Sequence, residues 1–263
     1  MSLPSTFLGM GTWRMGGTYE RDETTVEQSV AVLKLGLSLG LTRIDTAELY
    51  GAGLTEEIVG MAVADIPRDQ AHITSKVWRT HMRYDDVLQA AEKSLDRMNI
   101  SYLDLYLVHW PNSEVPLQET MRAMERLVDT GIVKEIGVSN FSVEEIKEAQ
   151  SHLSHTLLSA LQIEYNVLNQ TAHRDTIPYC KEHSIEVTAY RPLAKGMIAH
   201  AESKTLKSLA QKYNKTENQI AINWVLAQGI VAIPATLHSD HLRENVDALN
   251  FTMDKDDIHL LIG

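Results

Sequence analysis

The sequence predicts a single (β/α)8 barrel that occupies residues 1–263. Eight short segments rich in Ile, Val and Leu alternate with longer segments of helical periodicity, at a spacing of roughly 30 residues. A doubly wound α/β sheet is the alternative fold for such an alternation. It is disfavoured because no Gly-x-Gly-x-x-Gly motif follows the first predicted strand. No linker or low-complexity segment divides the chain, so we expect one domain.

The predicted strands are short and rich in Ile, Val and Leu, as parallel strands are when helices cover one face and the barrel interior covers the other. They cover residues 7–11, 42–45, 71–76, 103–109, 132–138, 159–164, 185–190 and 230–234.

Between the strands, apolar residues recur every three or four positions, which predicts amphipathic helices. The clearest stripes are Val26, Val30, Leu33 and Leu37; Val87, Ala91, Leu95 and Met98; Leu117, Met121, Met124 and Val128; and Leu242, Val246 and Leu249.

Helix boundaries are also marked in the sequence. Gly40, Gly131 and Gly229 each follow a helical stripe and precede a strand, where a left-handed residue commonly ends a helix. Ser142 with Glu145, and Thr216 with Gln219, have the spacing of capping boxes. These signals place helix starts near residues 142 and 216.

Composition narrows the class of protein. Hydrophobic residues make up 44% of the chain and charged residues 22%, as in an ordinary globular protein with a sizeable core. The formal net charge of −11 argues against nucleic acid or an anionic membrane as the main partner. We expect no signal peptide, and no apolar run approaches the ~20 residues that a membrane span needs. We therefore expect a cytoplasmic protein.

The single cysteine, Cys180, excludes an intrachain disulfide and fits a reducing compartment. It lies in a predicted helix, where we interpret it as a buried structural thiol rather than a nucleophile.

Ionisable residues stand at or just after the ends of three predicted strands, where the carboxyl-terminal mouth of the barrel is expected. Asp45 and Tyr50 lie in Ile-Asp-Thr-Ala-Glu-Leu-Tyr-Gly (44–51), Lys76 in Ile-Thr-Ser-Lys (73–76) and His109 in Leu-Val-His-Trp-Pro (107–111). Barrel enzymes place their catalytic groups at this mouth. Taken singly, each could be a turn cap, a surface lysine or a packing residue. Together they predict a site for proton transfer.

The chemistry follows from the residue types. Tyrosine holds its proton to pH ~10, and a neighbouring ammonium would stabilise the phenolate and lower that pKa. An aspartate would keep the lysine charged, and a neutral histidine would orient a carbonyl oxygen by hydrogen bonding. These groups suit the delivery of a proton to a carbonyl that receives a hydride.

At these residues the chain resembles the aldo-keto reductase family, in particular the small prokaryotic-type members of the 2,5-diketo-D-gluconate reductase group. The resemblance runs from about Leu8 to the last residue. Its seven motifs occur in family order: Asp-Thr-Ala…Tyr (45–50), Ser-Lys (75–76), His-Trp-Pro (109–111), Gly-Val-Ser-Asn-Phe (137–141), Gln-Ile-Glu-Tyr-Asn (162–166), Ala-Tyr-Arg-Pro-Leu (189–193) and Arg-Glu-Asn (243–245).

The resemblance implies an NAD(P)H-dependent oxidoreductase that reduces aldehydes and ketones, with Tyr50 as proton donor and Asp45, Lys76 and His109 in the supporting roles above. Two alternatives stay open. One is a regulatory or structural protein on the same barrel, and the other is a barrel enzyme of different chemistry, such as phosphate-ester metabolism.

The family pattern also implies a nicotinamide site, with Tyr190 stacked on the ring and Ser139, Asn140 and Gln162 on its carboxamide. The lysine and arginine that usually grip the 2′-phosphate are replaced here by Ala235 and His241. The resemblance therefore predicts NADP(H) as cofactor, with a weak advantage over NAD(H). The full set of expected cofactor contacts is Gly11, Thr12, Ser139, Asn140, Gln162, Tyr190, Arg191, Pro192, Leu193, Ala235, Thr236, His241, Glu244 and Asn245.

Trp13, Trp78 and Trp110 follow predicted strand ends and would form an apolar wall around a small carbonyl substrate; scattered packing is the alternative. The sequence shows no metal-binding motif, and we expect none. Relative to the family, the first hairpin should be short and the C-terminal loop over the substrate missing, so we expect a shallow, permissive pocket. We also expect a monomer.

Overall fold

The computed structural model describes residues 7–262 as a barrel of eight parallel strands, which confirms the predicted fold class. Each strand pairs with the next one in sequence, so the spatial order is β1 to β8. The strands are β1 (Gly9–Gly11), β2 (Arg43–Asp45), β3 (His72–Val77), β4 (Leu103–Val108), β5 (Val133–Ser139), β6 (Leu158–Glu164), β7 (Glu186–Tyr190) and β8 (Val231–Ile233).

The last strand returns to the first. Isolated parallel bridges join Leu8 to Ala232 and Gly11 to Ala235, and the Gly11 N–H donates to the Pro234 carbonyl at 3.1 Å. A β-carbon on Gly11 would lie only 2.6 Å from the Ile233 carbonyl oxygen, so this close approach requires glycine. These contacts close the barrel.

Helices cover the outside of the barrel. They are α1 (Val26–Ser38), α2 (Leu54–Val63), α3 (Tyr84–Met98), α4 (Leu117–Asp129), α5 (Val143–Ser151), α6 (Thr176–Glu182), α7 (Lys204–Tyr213), α8 (Glu217–Ala227), α9 (Ser239–Asp247) and α10 (Lys255–His259).

The simple alternation of one strand and one helix breaks between β7 and β8, where α7 precedes α8. Asn214 ends α7 in the left-handed conformation, and Thr216 opens α8 two residues later. The sequence marked only the second of these helices, through its capping box. Within residues 7–262, α10 is a further helix beyond the one that follows β8.

The predicted helix boundaries are confirmed. Gly40, Gly131 and Gly229 have φ angles of 87°, 76° and 72°, in the left-handed region that a side chain disfavours. Both capping boxes form, at Ser142 with Glu145 and at Thr216 with Gln219. Strand boundaries differ from the prediction by one or two residues.

The main core lies between the strands and the helices. Trp224 of α8 is fully buried there and donates its indole N–H to the Ile258 carbonyl at 3.1 Å. Cys180 is a buried free thiol on α6, and burial raises its pKa to about 11, as expected of a structural cysteine. A smaller group of Leu105, Leu107 and Ala160 fills the barrel interior.

At the amino-terminal end of the barrel, the first residues of β2 and β7 form an ion pair. Arg43 binds Glu186 through two hydrogen bonds of 2.6 and 2.9 Å. The pair joins two strands that are not neighbours in the sheet. No helix among residues 7–262 has the length and apolar character to cross a membrane.

Candidate active site

Three strands bring Asp45, Lys76 and His109 to the carboxyl-terminal mouth of the barrel. Asp45 is the last residue of β2, Lys76 lies one residue before the end of β3, and His109 directly follows β4. All three are buried, at 6%, 0% and 7% exposure. Tyr50 enters the same space from the loop after β2 and is itself 9% exposed.

The Lys76 ammonium lies at the centre of the cluster. It donates to Asp45 Oδ1 at 2.6 Å, to the Thr46 carbonyl at 2.8 Å and to the Tyr50 hydroxyl at 3.4 Å. Burial alone would lower the pKa of Lys76, but the neighbouring Asp45 carboxylate and Tyr50 raise it above its ordinary value. The lysine is therefore a charged ammonium in a nearly dry environment.

Tyr50 is held by a tight turn. Gly51, Ala52 and Gly53 follow it with φ angles of 55°, 49° and 93°, and α2 begins at the next residue. A β-carbon on Gly51 would lie 2.3 Å from the Gly16 carbonyl oxygen, so no larger residue fits at that position. The turn directs the phenol back over the strand ends.

The expected effect of Lys76 on Tyr50 is present, but burial outweighs it. Burial is the largest influence and raises the pKa of Tyr50, while the Lys76 charge lowers it by less, so the pKa lies above its ordinary value. Tyr50 therefore carries its proton at neutral pH, which is the form that a proton donor needs. Lys76 moderates the effect of burial and does not reverse it.

His109 is neutral at physiological pH. Burial, reinforced by the positive charge of Lys76, lowers its pKa to about 2. Its Nδ1 atom is buried without a hydrogen-bond partner. The ring lies edge-on to Tyr50, with 5.6 Å between ring centres, and edge-on to Trp78 at 5.2 Å. A neutral imidazole at this place can hydrogen-bond a carbonyl oxygen without adding charge.

Asp45, Tyr50, Lys76 and His109 together are called the tetrad. Amide and hydroxyl groups gather beside it, where β5, β6 and β7 end. Asn140 donates to Ser139 Oγ at 2.9 Å and to the His109 carbonyl at 3.1 Å, and it accepts from the Tyr190 hydroxyl at 2.7 Å. Asn140 has a φ angle of 63°, a conformation that asparagine tolerates better than most residues. Its backbone N–H donates to the Gln162 carbonyl at 2.9 Å.

This amide group and the tetrad are directly connected. Gln162 Nε2 donates to Asp45 Oδ2 at 2.7 Å, on the carboxylate oxygen that Lys76 does not hold. From the other side, the Thr12 hydroxyl and N–H both donate to the Asp45 carbonyl, at 2.8 and 3.1 Å. Asp45 is thus held by groups from three other strand ends.

The Ala-Tyr-Arg-Pro-Leu segment leaves β7 through an irregular turn. Arg191 adopts a left-handed φ of 52°, and its carbonyl accepts from Asn166 at 3.0 Å. Its guanidinium pairs with Glu164 at 2.7 Å on the surface. Pro192 is buried, and Leu193 is half-buried against the core.

The residues predicted to meet the 2′-phosphate surround the start of α9. Ala235 and His241 are exposed, and Thr236 Oγ1 accepts from the His238 N–H at 3.0 Å. Glu244 accepts from the Thr216 hydroxyl at 2.6 Å, and Asn245 is buried.

Two of the three predicted tryptophans border the tetrad. Trp13 is half-buried, with its ring centre 4.8 Å from that of Tyr50, and Trp78 contacts His109 as described above. Trp110 is 41% exposed. Tyr19, which the sequence did not indicate, extends the wall by an edge contact with Trp13 at 5.5 Å.

Sequence reasoning also missed Glu48. Its nearly buried carboxylate accepts from the backbone N–H of Trp78 at 2.5 Å and pairs with His81 Nδ1 at 3.0 Å. Glu48 thereby holds the loop that carries Trp78. An acidic residue two positions before Tyr50 was the available signal. Across residues 7–262, no group of three or more His, Cys, Asp or Glu side chains could hold a metal ion.

Comparison with known proteins decides the family. The sequence model of the Aldo/keto reductase family matches residues 7–261, almost the whole chain. The protein belongs to the aldo-keto reductase family. It is accordingly an oxidoreductase that acts on carbonyl groups.

Individual relatives agree with this membership. The chain is 32% identical to the methylglyoxal reductase YeaE of Escherichia coli (strain K12), over 99% of this chain and 90% of the relative. It is 33% identical to a glyoxal reductase of Bacillus subtilis (strain 168), over 96% and 86%. A crystal structure of an aldo/keto reductase from Klebsiella pneumoniae in complex with NADP and acetate superposes with a TM-score of 0.87 at 34% identity, covering 98% and 90% of the two chains.

Proposed function

We propose that this reductase converts small aldehydes and ketones to alcohols with NADP(H) as cofactor and Tyr50 as the proton donor. The observation that carries the proposal is the position of the Lys76 ammonium, 3.4 Å from the Tyr50 hydroxyl and 2.6 Å from Asp45 in a buried cluster. A charged lysine beside a phenol is the arrangement that stabilises a phenolate as its proton leaves.

Each residue has a separate task in this proposal. Tyr50 holds a proton at neutral pH and gives it to the substrate oxygen as negative charge develops there. Lys76 stabilises the resulting phenolate, and Asp45 keeps Lys76 charged and oriented. Neutral His109 donates a hydrogen bond to the same oxygen and so sets the direction of the carbonyl. NADP(H) supplies the hydride when bound.

The chain's own donors fit a nicotinamide. Ser139, Asn140 and Gln162 place hydroxyl and amide groups at one side of the mouth, which suits a carboxamide. Tyr190 is half-buried and hydrogen-bonded to Asn140, so its ring is held at a fixed angle. Relatives crystallised with NADP and with NADPH, both from Klebsiella pneumoniae, support this cofactor.

For the substrate, we propose small dicarbonyl compounds. Two relatives that match nearly the full chain are a methylglyoxal reductase and a glyoxal reductase. Trp13 and Trp78 form apolar surfaces on either side of Tyr50 and His109. Such surfaces exclude water from a small substrate and leave the polar contacts to the tetrad.

The test is Tyr50→Phe, which removes the hydroxyl and keeps the ring. We expect kcat for methylglyoxal with NADPH to fall at least ~10²-fold, the usual contribution of a general acid, with little change in the NADPH Kd. Lys76→Met should lower kcat by a similar factor. The matched control is Tyr213→Phe, which removes a partly buried hydrogen bond to Asp257 at the end of α7.

Near wild-type turnover of Tyr50→Phe would contradict the assignment of the proton donor. Absence of NADPH oxidation by the wild-type protein across a panel of aldehydes and dicarbonyls would instead favour a regulatory or structural role for the barrel.

A further inference from the structure

A buried ionic cluster lies behind β3, on the opposite side of the strand from the tetrad. Glu56 of α2 accepts from the Ser75 hydroxyl at 2.5 Å through Oε1. Its other oxygen, Oε2, accepts from Arg97 of α3 at 2.6 Å, and Arg97 also contacts Ser94 Oγ at 3.3 Å. Carbonyl reduction as proposed above uses none of these groups.

The cluster joins two helices at a cost in desolvation free energy. The Glu56 carboxylate is completely buried, and burial raises its pKa although Arg97 and Ser75 oppose the shift. A buried ion pair commonly adds no net stability over apolar residues of the same volume, because both charges lose water. We therefore interpret the ion pair through the geometry that it imposes on α2, α3 and β3.

That geometry concerns the two segments that carry Tyr50 and Lys76. Glu56 is the third residue of α2, which starts directly after the Tyr50–Gly53 turn. Ser75 immediately precedes Lys76 in β3, and successive strand residues point to opposite faces. The bond between Glu56 and Ser75 therefore ties, from outside the barrel, the two segments whose inner side chains form the 3.4 Å contact.

Arg97 adds a second restraint on the same turn. Gly53 has a φ of 93°, and a β-carbon there would lie 2.7 Å from Arg97 Cδ. The arginine stem thus packs directly on the last residue of the turn while its guanidinium binds Glu56. The end of the turn is held between α3 and β3.

We propose that Glu56, Arg97 and Ser75 are positioning residues, which set the distance between the Tyr50 hydroxyl and the Lys76 ammonium. The inference rests on the proposed role of Tyr50 as proton donor. None of the three touches the reacting atoms. They act by fixing the turn against the strand, so their loss would misplace the phenol without removing any group that reacts.

The experiment measures steady-state kinetics of Arg97→Met, Glu56→Gln and Ser75→Ala with methylglyoxal and NADPH. Because a displacement of about 1 Å can reduce a rate by ~10²-fold, we expect Arg97→Met and Glu56→Gln to lower kcat at least ~10-fold and Ser75→Ala about threefold. KM and the NADPH Kd should change by less than about threefold. Arg97→Lys, which keeps the charge, should recover part of the loss.

A pH profile separates positioning from simple destabilisation. Alcohol oxidation needs the Tyr50 phenolate, whose pKa is influenced by Lys76, Asp45 and Arg191. Moving the phenol away from Lys76 weakens the electrostatic interaction with the ammonium that lowers this pKa. The rising limb of the oxidation rate should therefore shift to higher pH in Arg97→Met, a shift that lower stability alone does not produce.

Two controls complete the design. Asp65→Asn breaks an exposed ion pair between the turn that follows α2 and Lys34 of α1, and it should leave kcat and the pH profile unchanged. Asn223→Ala removes two hydrogen bonds from α8, to the Ala248 and Phe251 carbonyls, and serves as the control for lost stability. If Arg97→Met does not fold, Ser75→Ala decides, since it removes one hydroxyl only.

Unchanged kcat and pH profile in a folded Arg97→Met or Ser75→Ala protein would overturn the inference. So would an equal loss of kcat in Asn223→Ala at a matched decrease in Tm. Failure of the proposed function has a different signature, since it would appear as retained activity in Tyr50→Phe.

Discussion

Gln162 and Lys76 divide the Asp45 carboxylate between them, with Gln162 on Oδ2 at 2.7 Å and Lys76 on Oδ1 at 2.6 Å. Gln162 was predicted from the sequence as a contact of the cofactor's carboxamide. Its bond to Asp45 means that one side chain faces both the expected nicotinamide site and the tetrad. Cofactor binding at the one site and proton transfer at the other are therefore expected to be coupled.

Gln162→Met tests this connection. It leaves one buried oxygen of Asp45 without its donor, and an unsatisfied buried group typically costs ~1–3 kcal/mol. We expect a rise in the NADPH Kd together with a fall in kcat of about tenfold. Gln150→Met is the matched control, since the Gln150 amide is likewise hydrogen-bonded, here to backbone groups of Thr156 and Leu158, but lies on α5. An effect on the NADPH Kd alone would show that the bond to Asp45 has no catalytic importance.

The pH dependence should differ between the two directions of reaction. Because the pKa of Tyr50 is raised, the tyrosine keeps its proton through neutral pH, and kcat for reduction should be flat between about pH 6 and 9. Because the pKa of His109 is about 2, no histidine ionisation should appear near pH 6.5. Oxidation of the alcohol needs the phenolate, so its rate should rise with pH throughout the range below the raised pKa of Tyr50. Initial rates in both directions, in buffers of constant ionic strength, check this; a reduction rate that falls tenfold between pH 6 and 8 would contradict it.

Glu48 should fix the position of Trp78, which forms part of the apolar surface proposed to contact the substrate. Glu48→Ala removes the acceptor of the Trp78 backbone N–H and the partner of His81, so the loop loses its anchor. We expect KM for methylglyoxal to rise about tenfold, with a smaller change in kcat. Glu119→Ala, which likewise removes the acceptor of a backbone N–H at Tyr84, is the control. Equal KM values for the wild type and Glu48→Ala would exclude this role.

The preference between cofactors should be weak. The resemblance to the family predicts that Ala235 and His241 replace the two cations that usually grip the 2′-phosphate, and charge-assisted hydrogen bonds contribute ~1.5–3 kcal/mol each. We expect kcat/KM for NADPH to exceed that for NADH by less than ~10²-fold, and the ratio to rise in Ala235→Lys. Ala64→Lys adds the same charge at an exposed site directly after α2 and should leave the ratio unchanged.

A much larger wild-type ratio would indicate that another cation binds the phosphate. Arg191 is the first to test, although its guanidinium is already paired with Glu164 at 2.7 Å. Arg191→Ala would then reduce the ratio.

The parts of the site that sequence alone could predict are those set by the strand order. Asp45, Lys76 and His109 each stand at the end of a predicted strand, and parallel strands in a barrel bring their carboxyl ends to one mouth. The turns that end at Gly40, Gly131 and Gly229 were readable for a local reason, since glycine accepts a left-handed conformation. In these cases the residues that determine the strand end or the helix end lie within a few positions of it in the sequence.

What could not be predicted depends on contacts between distant segments. The pairing of Glu56 with Arg97 arises from the packing of α2 on α3, and nothing near either residue indicates its partner. The raised pKa of Tyr50 could not be predicted for a similar reason, because it depends on how completely the surrounding loops bury the phenol. The extra helix α7 was missed because its apolar stripe is short and no capping box marks its start.

The seam between β1 and β8 has a consequence for synthesis on the ribosome. The bridges of Leu8 to Ala232 and of Gly11 to Ala235 join the first described strand to the last. Until β8 has emerged, the nascent sheet has two free edges, at β1 and β7, each able to pair with a strand of another chain. Closure of the barrel is therefore a late event in translation, and a nascent chain stalled before β8 is expected to need protection by a chaperone.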